Sequence, residues 1–248
     1  MAFENRWYRA TMQGERFCSF TVQYNETDLW IGINPESYNE EIIEYCKKYI
    51  KILHQQLGSY IATNPQFRLS LAPLPFDLAA PSIAQEMLIQ SQNAGVGPMA
   101  CVAGAFSQFV GNEILSKFEV KEIIIENGGD IFLKVNKPIN IAVYAGDSPL
   151  SGKIGIEILP ETSPVGICTS SATVGPSLSL GKTDATMIVC NNTALADGYA
   201  SFFGNMVLKQ SDIESVIEKI KNHPEILSAI IVCGDKFGIG GKLKLKLF

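Results

Sequence analysis

The largest concentration of polar side chains in the sequence lies between Pro164 and Asp184. From Thr162 to Gly181 no residue is charged, eight of the twenty positions are Ser or Thr, and three are Gly. Ser and Thr hydroxyls compete with the backbone for hydrogen bonds, so this composition disfavours a helix. Short polar side chains and Gly let backbone N–H groups converge on an anion. The stretch therefore indicates either a long solvated loop or a loop that binds a phosphate.

Five residues in and around this stretch are candidate ligands for an anion. The hydroxyl groups are supplied by Thr169, Ser170 and Ser171. Positive charge is available from Lys182 at the end of the stretch and from Lys153, which follows the turn-rich segment AGDSPLS. Cys168 precedes the hydroxyls, and we expect it to be an inward-facing strand residue because Cys is commonly buried.

A carboxylate and a hydroxyl are paired on a predicted helix further along the chain. The segment NNTALADGYASFFGNMV is typical of a helix capped near Asn192 or Thr193. Asp197 and Ser201 are four residues apart, which places them on one helical face. Such oxygen ligands suit Mg²⁺, although an isolated pair at this spacing is also common on a helix surface.

Two further polar segments flank predicted elements. The hairpin EIIIENGGDIFL turns at the four residues Asn127, Gly128, Gly129 and Asp130, which are either a plain hairpin tip or part of a site. The helical segment GPMACVAGAFSQFVGNEIL opens at Gly97, Pro98 and Met99, where free N–H groups are available to a ligand. Its interior glycines each cost roughly 1 kcal/mol relative to Ala, so another part of the chain should pack closely against this helix.

Composition limits the class of protein. The 248 residues are 46% hydrophobic and 18% charged, with a net charge of −5. This predicts a substantial core and disfavours nucleic-acid binding. The first residues lack the apolar region of a signal peptide, and polar residues interrupt the longest uncharged segment too often for a membrane span. We therefore expect a cytoplasmic protein that binds neither nucleic acid nor membrane. Six cysteines without a CxxC pair and two histidines make structural zinc improbable.

Hydrophobic periodicity and turn residues predict the remaining elements. A helix should start at Pro35 behind an Asn34 cap and end at Gly58, and a capping box should open a helix at Ser211. The C-terminal KLKLKLF should be an edge strand guarded by lysines, preceded by a Gly-rich turn. The other predicted elements are two strands within residues 16–33, a strand near Phe67–Leu71, a helix over Ser82–Asn93, and strands at Ile139–Tyr144, Lys153–Leu159, Val165–Cys168, Ala185–Cys190 and Ala229–Cys233.

The order of these motifs is specific enough to suggest a family. The segments GVGPMACVAGA, ENGGDIF, SGKIGIEI, GICTSSATVGPSLSLGKTDA and ALADGYASFFGN follow one another between about Ala94 and Asn205. Together they resemble the uncharacterised ApbE-like group, cytoplasmic relatives of the ApbE flavin transferases. The resemblance implies an α+β fold in which antiparallel sheets and helices surround a central cleft. One domain, or two interlocked subdomains, would span residues 1–248.

The resemblance also implies a chemistry. ApbE enzymes hold FAD in the cleft, with Mg²⁺ bridging its pyrophosphate, and move FMN onto a Thr or Ser of a target protein. Their AGGD segment is similar to residues 127–130 here, their TSG segment to residues 169–171, and their metal-binding DALAT segment to residues 197–201. By this resemblance Asp197 and Ser201 would bind the metal. FAD or a related flavin would contact the TSG-like hydroxyls, the hairpin tip and the Gly97 segment.

The sequence departs from the ApbE pattern at two places. The Gly97 segment lacks the family's lysine, and Pro176 stands where a His is expected. Transfer needs a base beside the accepting hydroxyl, so Asp130 or Asp184 would have to replace the His. Three functions therefore stay open: a Mg²⁺-dependent enzyme acting on a flavin or another pyrophosphate compound, a non-catalytic flavin or nucleotide binder, and an accessory protein of sulfur assimilation that uses Cys168. The expected partners are a small anionic ligand, a protein acceptor and a second copy of the chain.

Overall fold

The structure is a computed structural model that describes residues 6–12, 15–174 and 179–248. Pro176 and its neighbours in the hydroxyl-rich stretch lie outside the described residues. The strands are β1 (Cys18–Tyr24), β2 (Thr27–Ile33), β3 (Ile123–Asn127), β4 (Asp130–Lys134), β5 (Ile139–Ala142), β6 (Ile154–Ile158), β7 (Val165–Ser170), β8 (Ala185–Cys190), β9 (Ile226–Cys233), β10 (Lys236–Gly241) and β11 (Leu245–Leu247). The helices are α1 (Glu40–Thr63), α2 (Gln66–Leu69), α3 (Ser82–Ala94), α4 (Val102–Lys117), α5 (Thr193–Met206) and α6 (Ile213–Ile220).

The fold has three layers. Eight strands form an antiparallel sheet in the order β1-β2-β3-β4-β7-β8-β9-β10, and β11, β6 and β5 form a smaller sheet. Alternate side chains of the large sheet point to opposite faces. Ile125, Phe132 and Cys168 join the core beneath the helices, whereas Ile124 and Ile167 join the core beneath the small sheet. The predicted α+β architecture of antiparallel sheets and helices is confirmed.

Two glycines of α4 allow the close packing that the sequence predicted. A Cβ atom added at Gly104 would lie 2.4 Å from the Thr193 carbonyl oxygen. At Gly111 it would lie 2.2 Å from the Phe132 ring. Helix α4 therefore packs directly on α5 and on β4, and this contact fixes its distance from both elements.

Most predicted strands are confirmed, but local predictions are wrong at both ends of α1, at Phe67–Leu71, at residues 236–241 and at the start of α6. Asn39, whose side chain accepts a 2.9 Å hydrogen bond from the Glu41 N–H, caps α1. The helix then runs through Gly58, because buried residues on its apolar face continue to Leu57 and hold it in place. The predicted strand at Phe67–Leu71 is instead α2 and the start of an extended loop. Residues 236–241 form β10 where a turn was expected.

The start of α6 also differs from the prediction. The predicted capping box from Ser211 to Glu214 does not form. The carboxylate of Asp212 accepts hydrogen bonds from the N–H groups of Leu208 and Lys209, at 3.0 and 3.1 Å. A short 3-10 turn therefore precedes α6, which begins two residues later than expected.

Candidate functional site

The start of α5 is fixed by hydrogen bonds to two other helices. The Asn192 side chain accepts from the Leu195 N–H at 2.9 Å and donates to Glu86 Oε1 of α3 at 2.6 Å. The Thr193 N–H donates to Gln108 Oε1 of α4 at 2.6 Å. Because three helices share these bonds, the first turn of α5 has a defined position relative to α4.

Asp197 lies one turn further along α5, against the first turn of α4. Its Oδ2 accepts a 2.9 Å hydrogen bond from the Gly104 N–H. Ser201 follows after another turn and, like Asp197, stays partly exposed. Thr193, Asp197 and Ser201 are thus spaced by four residues, and their oxygens follow one side of α5 from the buried helix start outward.

Asp130 opens β4 and is buried beneath the same turn of α4. The Ser107 hydroxyl donates to the Asp130 carbonyl oxygen at 3.1 Å, and Asn127 Nδ2 donates to the Ala103 carbonyl oxygen at 3.2 Å. Among the described residues, Asp130 Oδ1 and Thr193 Oγ1 are buried side-chain oxygens without a hydrogen-bond partner. A buried oxygen in this state is costly unless a ligand or ion completes it.

Burial raises the proton affinity of both carboxyl groups, and at Asp130 the charge of Asp197 adds to this effect. Burial, followed by the charge of Asp197, raises the pKa of Asp130 well above its usual range. Burial raises the pKa of Asp197 to about 7, although hydrogen bonds from the Gly104 and Ala103 N–H groups act in the opposite direction. A cation placed between these groups would remove the repulsion and the cost of burial together.

Strand alternation divides the remaining predicted residues between two faces. Cys168 faces the helices and Ile167 faces the small sheet. Ser170 therefore shares the helix face with Cys168, whereas Thr169 points to the other side. Ser170 comes to the same face as Asp197 and Asp130. The three hydroxyls were expected to act together in a loop, but the first two lie in β7.

Ser171 and Asp184 are occupied by local hydrogen bonds. Ser171 Oγ accepts from the N–H groups of Thr173 and Val174, at 3.1 and 2.9 Å. Asp184 accepts from the Gly234 N–H at 2.6 Å and from the Thr173 hydroxyl at 3.1 Å. Ile188 lies two strands across from Asp130, and Asp184 precedes Ile188 by four residues along the chain, so Asp184 lies about 16 Å from Asp130. The two candidate bases, Asp130 and Asp184, therefore do not belong to one site.

The Gly97 segment differs most from the prediction. Gly97 is buried, and a Cβ atom added there would lie 1.9 Å from the Ser70 carbonyl oxygen. Pro98 and Met99 belong to a 3-10 turn, and α4 itself begins only at Val102. The helix start beside Asp197 is therefore at Ala103 and Gly104, because the tight packing of Gly97 on the loop after α2 turns the chain before the helix can form.

The two lysines and the hairpin tip are more accessible. Lys153 is exposed before β6 in the small-sheet layer, and Lys182 is exposed where its N–H donates to the Val207 carbonyl oxygen at 2.8 Å. Gly128 and Gly129 form the turn between β3 and β4 with φ values of 69° and 104°. Behind the turn, Glu126 Oε1 accepts from the Gly129 N–H at 2.8 Å.

Sequence reasoning missed the side chains that support this site. Glu86, Gln108 and Ser107 have no motif of their own, since their roles follow from helix packing. Glu126 is fully buried and forms a 2.6 Å ion pair with Arg9. The charge of Glu126 at the mouth of the predicted hairpin marked it as a possible functional residue, but nothing in the sequence identified Arg9 as its partner.

Cys168 and the histidines take structural positions. Cys168 is buried as expected, and its thiol donates to the Thr193 carbonyl oxygen at 3.3 Å. Burial and the nearby Asp130 and Asp197 raise the pKa of this thiol well above its usual range, the opposite of what a reactive cysteine needs. His54 lies 2.8 Å from the Thr27 hydroxyl, and His223 lies 3.1 Å from the Tyr199 hydroxyl.

Other possible sites lie elsewhere or do not form. A cavity of about 660 Å³ opens between α6 and β10, and none of the predicted site residues lines it. In residues 6–12, 15–174 and 179–248, no three His, Cys, Asp or Glu side chains are grouped to bind a metal. Across the same ranges no single helix is long and apolar enough to span a membrane; α3 and the segment Pro98–Lys117 pass together by length and composition, with a 100° bend between them.

Comparisons with known proteins agree on the family. A family model described as "AbpE bacteria" matches residues 9–233. The chain is 36% identical over 198 residues to a UPF0280 protein of Methanocella arvoryzae, covering 80% of each chain. It is 34% identical over 223 residues to a UPF0280 protein of Methanocaldococcus jannaschii, covering 88% of each.

Solved structures show the same fold. The flavinyl transferase ApbE of Pseudomonas stutzeri has a TM-score of 0.60 at 14% identity, covering 92% of this chain and 94% of that one. The ApbE protein of Thermotoga maritima has a TM-score of 0.61 at 12% identity, covering 90% and 97%. With a family match over most of its length and an ApbE-like fold, the chain belongs to the "AbpE bacteria" family and is related to the UPF0280 proteins.

Proposed function

We propose that this protein binds FAD or a related pyrophosphate compound together with Mg²⁺ at the Asp130–Asp197 site, and transfers the FMN half to a hydroxyl group. In that reaction the acceptor oxygen forms a bond to the flavin-side phosphorus, the pyrophosphate bond breaks, and AMP leaves. The observation that carries the proposal is the buried Asp130 Oδ1, which has no partner and lies beside a second carboxylate. Such a site favours a cation or a proton transferred from a substrate.

The oxygen atoms on α5 fit Mg²⁺. This ion prefers oxygen ligands and commonly takes one or two carboxylates, completing its shell with water and substrate phosphate. Asp197 would supply the carboxylate, with hydroxyls from Ser201 and from Thr193, whose Oγ1 is unpartnered. When bound, Mg²⁺ neutralises and orients pyrophosphate oxygens. A protein site with few acidic ligands suits a Mg²⁺ ion whose coordination shell is completed by substrate phosphate.

The remaining predicted residues would surround the ligand. Ser170 and Asn127 lie on the helix face, where they can donate hydrogen bonds to phosphate or to the flavin. Ligand contacts from Gly128, Gly129, Thr169 and Ser171 would require a ligand that extends past the ends of β3 and β7. Lys153 and Lys182 would add positive charge from the rim. The buried Gly97 and Pro98 and the half-buried Met99 would support the wall.

Asp130 is the proposed base for the acceptor hydroxyl. Its unpartnered oxygen is free to accept a proton, and burial raises the pKa of this carboxyl above its usual range, as a general base requires. Asp184 is the weaker candidate because its carboxylate already accepts two hydrogen bonds. In this proposal Asp130 removes the proton and Asp197 holds the metal.

The test is to incubate the protein with FAD, with and without Mg²⁺, then desalt it and measure flavin absorbance and released AMP. The wild type should retain flavin only with Mg²⁺ and release AMP when a hydroxyl acceptor is present. Asp197→Asn should lose both, whereas the exposed Asp147→Asn should lose neither. A wild-type protein that keeps no flavin and releases no AMP would overturn the proposal.

A non-catalytic flavin or nucleotide binder is the second candidate. It is favoured because His54 and His223 both bond to residues outside the site, so neither replaces the missing base. Retention of intact FAD by the wild type, without AMP under any condition, would select this function over transfer.

A further inference from the structure

The end of α2 and the loop between α2 and α3 present large apolar side chains to solvent. The exposed fraction is 66% for Leu69, 68% for Leu71, 46% for Phe76 and 81% for Leu78. Ile89 on the neighbouring face of α3 is 39% exposed. We call these five residues the apolar ridge. Soluble monomers rarely expose large contiguous apolar patches, and such patches commonly mark contact surfaces.

Hydrogen bonds from α3 hold the ridge in this outward conformation. Gln92 Nε2 donates to the Leu74 carbonyl oxygen at 2.5 Å. Gln85 Nε2 donates to the carbonyl oxygens of Leu78 and Ala80, both at 2.9 Å. Gln85, Ile89 and Gln92 lie on one face of α3, so Ile89 sits between the two points that anchor the loop. The chain from Leu71 to Ala80 therefore runs along α3, from Gly97 just beyond its end, where an added Cβ atom would lie 3.0 Å from Leu71 Cα, back to Gln85.

Few polar groups on the apolar ridge still need water as a hydrogen-bond partner. Asp77 is the single charged residue from Leu69 to Ala80, and its carboxylate accepts a 2.9 Å hydrogen bond from the Tyr60 hydroxyl. Three loop carbonyls already accept from the glutamines. Covering the ridge would thus bury few polar groups that still need water, and such burial is otherwise costly.

We propose that a second copy of this chain covers the apolar ridge, forming a two-fold symmetric dimer. A two-fold interface places the same patch on both partners, so the patch must complement itself. Apolar side chains meet this condition, whereas a charged patch would face its own charge. The net charge of −5 on each copy also favours contact at an uncharged surface.

The exposed area is sufficient for a specific interface. Taking about 180–200 Å² for each large side chain, the exposed fractions amount to about 550 Å² per copy and about 1,100 Å² for the pair, near the lower bound for a biological interface. Backbone and flanking residues at the edge would add to it. The ridge therefore offers enough apolar area for a dimer without help from another surface.

The test is the molar mass of the purified protein in solution, measured by light scattering over a concentration series. We expect the wild type to be a dimer and Leu71→Glu/Leu78→Glu to be a monomer, with an unchanged circular-dichroism spectrum because both side chains are exposed. A control pair, Leu180→Glu/Leu208→Glu, changes leucines of 62% and 57% exposure elsewhere and should stay dimeric.

A milder variant guards against loss of folding. Leu78→Ser removes the most exposed ridge side chain without adding charge and should raise the dimer dissociation constant by about tenfold or more, the size of effect expected for an interface hot spot. A monomeric wild type would overturn the proposal. So would a dimer whose dissociation constant is unchanged in both ridge variants, because the contact would then use another surface.

Discussion

The backbone N–H of Gly104 donates a 2.9 Å hydrogen bond to the Asp197 carboxylate. The same glycine has no room for a side chain, since an added Cβ atom would lie 2.8 Å from Asp197 Cβ and 2.4 Å from the Thr193 carbonyl oxygen. One residue thus sets both the distance between α4 and α5 and the position of the proposed metal ligand. Packing and site geometry cannot be changed separately here.

Gly104→Ala should therefore destabilise the protein, by about 2–4 kcal/mol, because the added methyl group has to push two helices apart. Denaturation with urea would measure this change. Gly58→Ala is the matched control, since Gly58 lies within α1 and no atom lies within 4 Å of its added Cβ. That variant should gain about 0.5–1 kcal/mol from helix propensity. Equal effects of the two substitutions would contradict the packing argument.

The pKa of Asp197 makes the stability of the metal-free protein depend on pH. Its value of about 7 in the folded state exceeds the ordinary aspartate value of 3.8, so the folded protein binds more protons than the unfolded chain between these two pH values. Stability is then highest below about pH 4 and falls as pH rises to about 7, by at most ~4 kcal/mol in total for this group.

Asp197→Asn should remove much of this dependence and raise the free energy of unfolding at pH 8, because no charge is then buried beside Asp130. Urea denaturation from pH 5 to pH 8 in the presence of a chelator would measure it. Asp147→Asn, at an exposed loop position, should leave the wild-type profile in place. A wild-type stability that rises over this range would show that the pKa values of the two carboxyl groups are not raised as described.

The sequence predicted the elements but only part of the site. Strands such as β8 and the hairpin at Asn127–Asp130 follow from local patterns, since β-branched runs and an NGGD turn specify them. The pairing of Asp197 with Asp130 depends on α4 lying across α5 and β4. Gly104 and Gly111 signalled that close packing, although not which element would be the partner.

The errors arose where a distant contact decided the local structure. Gly97 was expected at a helix start, but its packing on Ser70 turns the chain and delays α4 to Val102. Thr169, Ser170 and Ser171 were grouped by composition, whereas strand alternation sends Thr169 and Ser170 to opposite faces. Neither outcome is encoded in residue spacing alone.

The stability of the protein should depend on both hydrogen bonds of the Asn192 side chain, the one that it donates and the one that it accepts. Asn192→Ala loses the cap to Leu195 and the bond to Glu86, which should cost about 1–2 kcal/mol. Asn192→Asp keeps the cap but sets a carboxylate against Glu86, so it should be no more stable than the Ala variant at pH 8. Thermal unfolding at pH 5 and pH 8 would separate these effects. An Asp variant as stable as wild type at pH 8 would exclude the Glu86 contact.

Arg9 and Glu126 should show strong coupling. Arg9 Nε lies 2.6 Å from Glu126 Oε2, and the Glu126 side chain is fully buried. Arg9→Met leaves a buried carboxylate short of a partner and should cost about 3 kcal/mol. The double variant Arg9→Met/Glu126→Gln should cost less than the sum of the single variants in a urea-denaturation cycle. Additive single effects would mean that the pair does not interact.

The cysteines should differ sharply in reactivity. Cys18 is half-buried, and the other five are buried. Burial raises the pKa of Cys46 to about 12, and burial together with the nearby Asp130 and Asp197 raises the pKa of Cys168 well above its usual range. Because the thiolate is the reactive form, an aromatic disulfide reagent at pH 7.5 should label Cys18 first and the remaining thiols only on unfolding.

Cys18→Ser is the control for this measurement, and it should remove the fast phase while leaving all slow phases unchanged. Cys168→Ser, in contrast, should leave the fast phase intact. Rapid labelling of Cys168 in the folded protein, prevented by a bound anion, would reverse the assignment and make this thiol a candidate for sulfur chemistry. Labelling that follows global unfolding instead would fix Cys168 as a core residue beneath the start of α5.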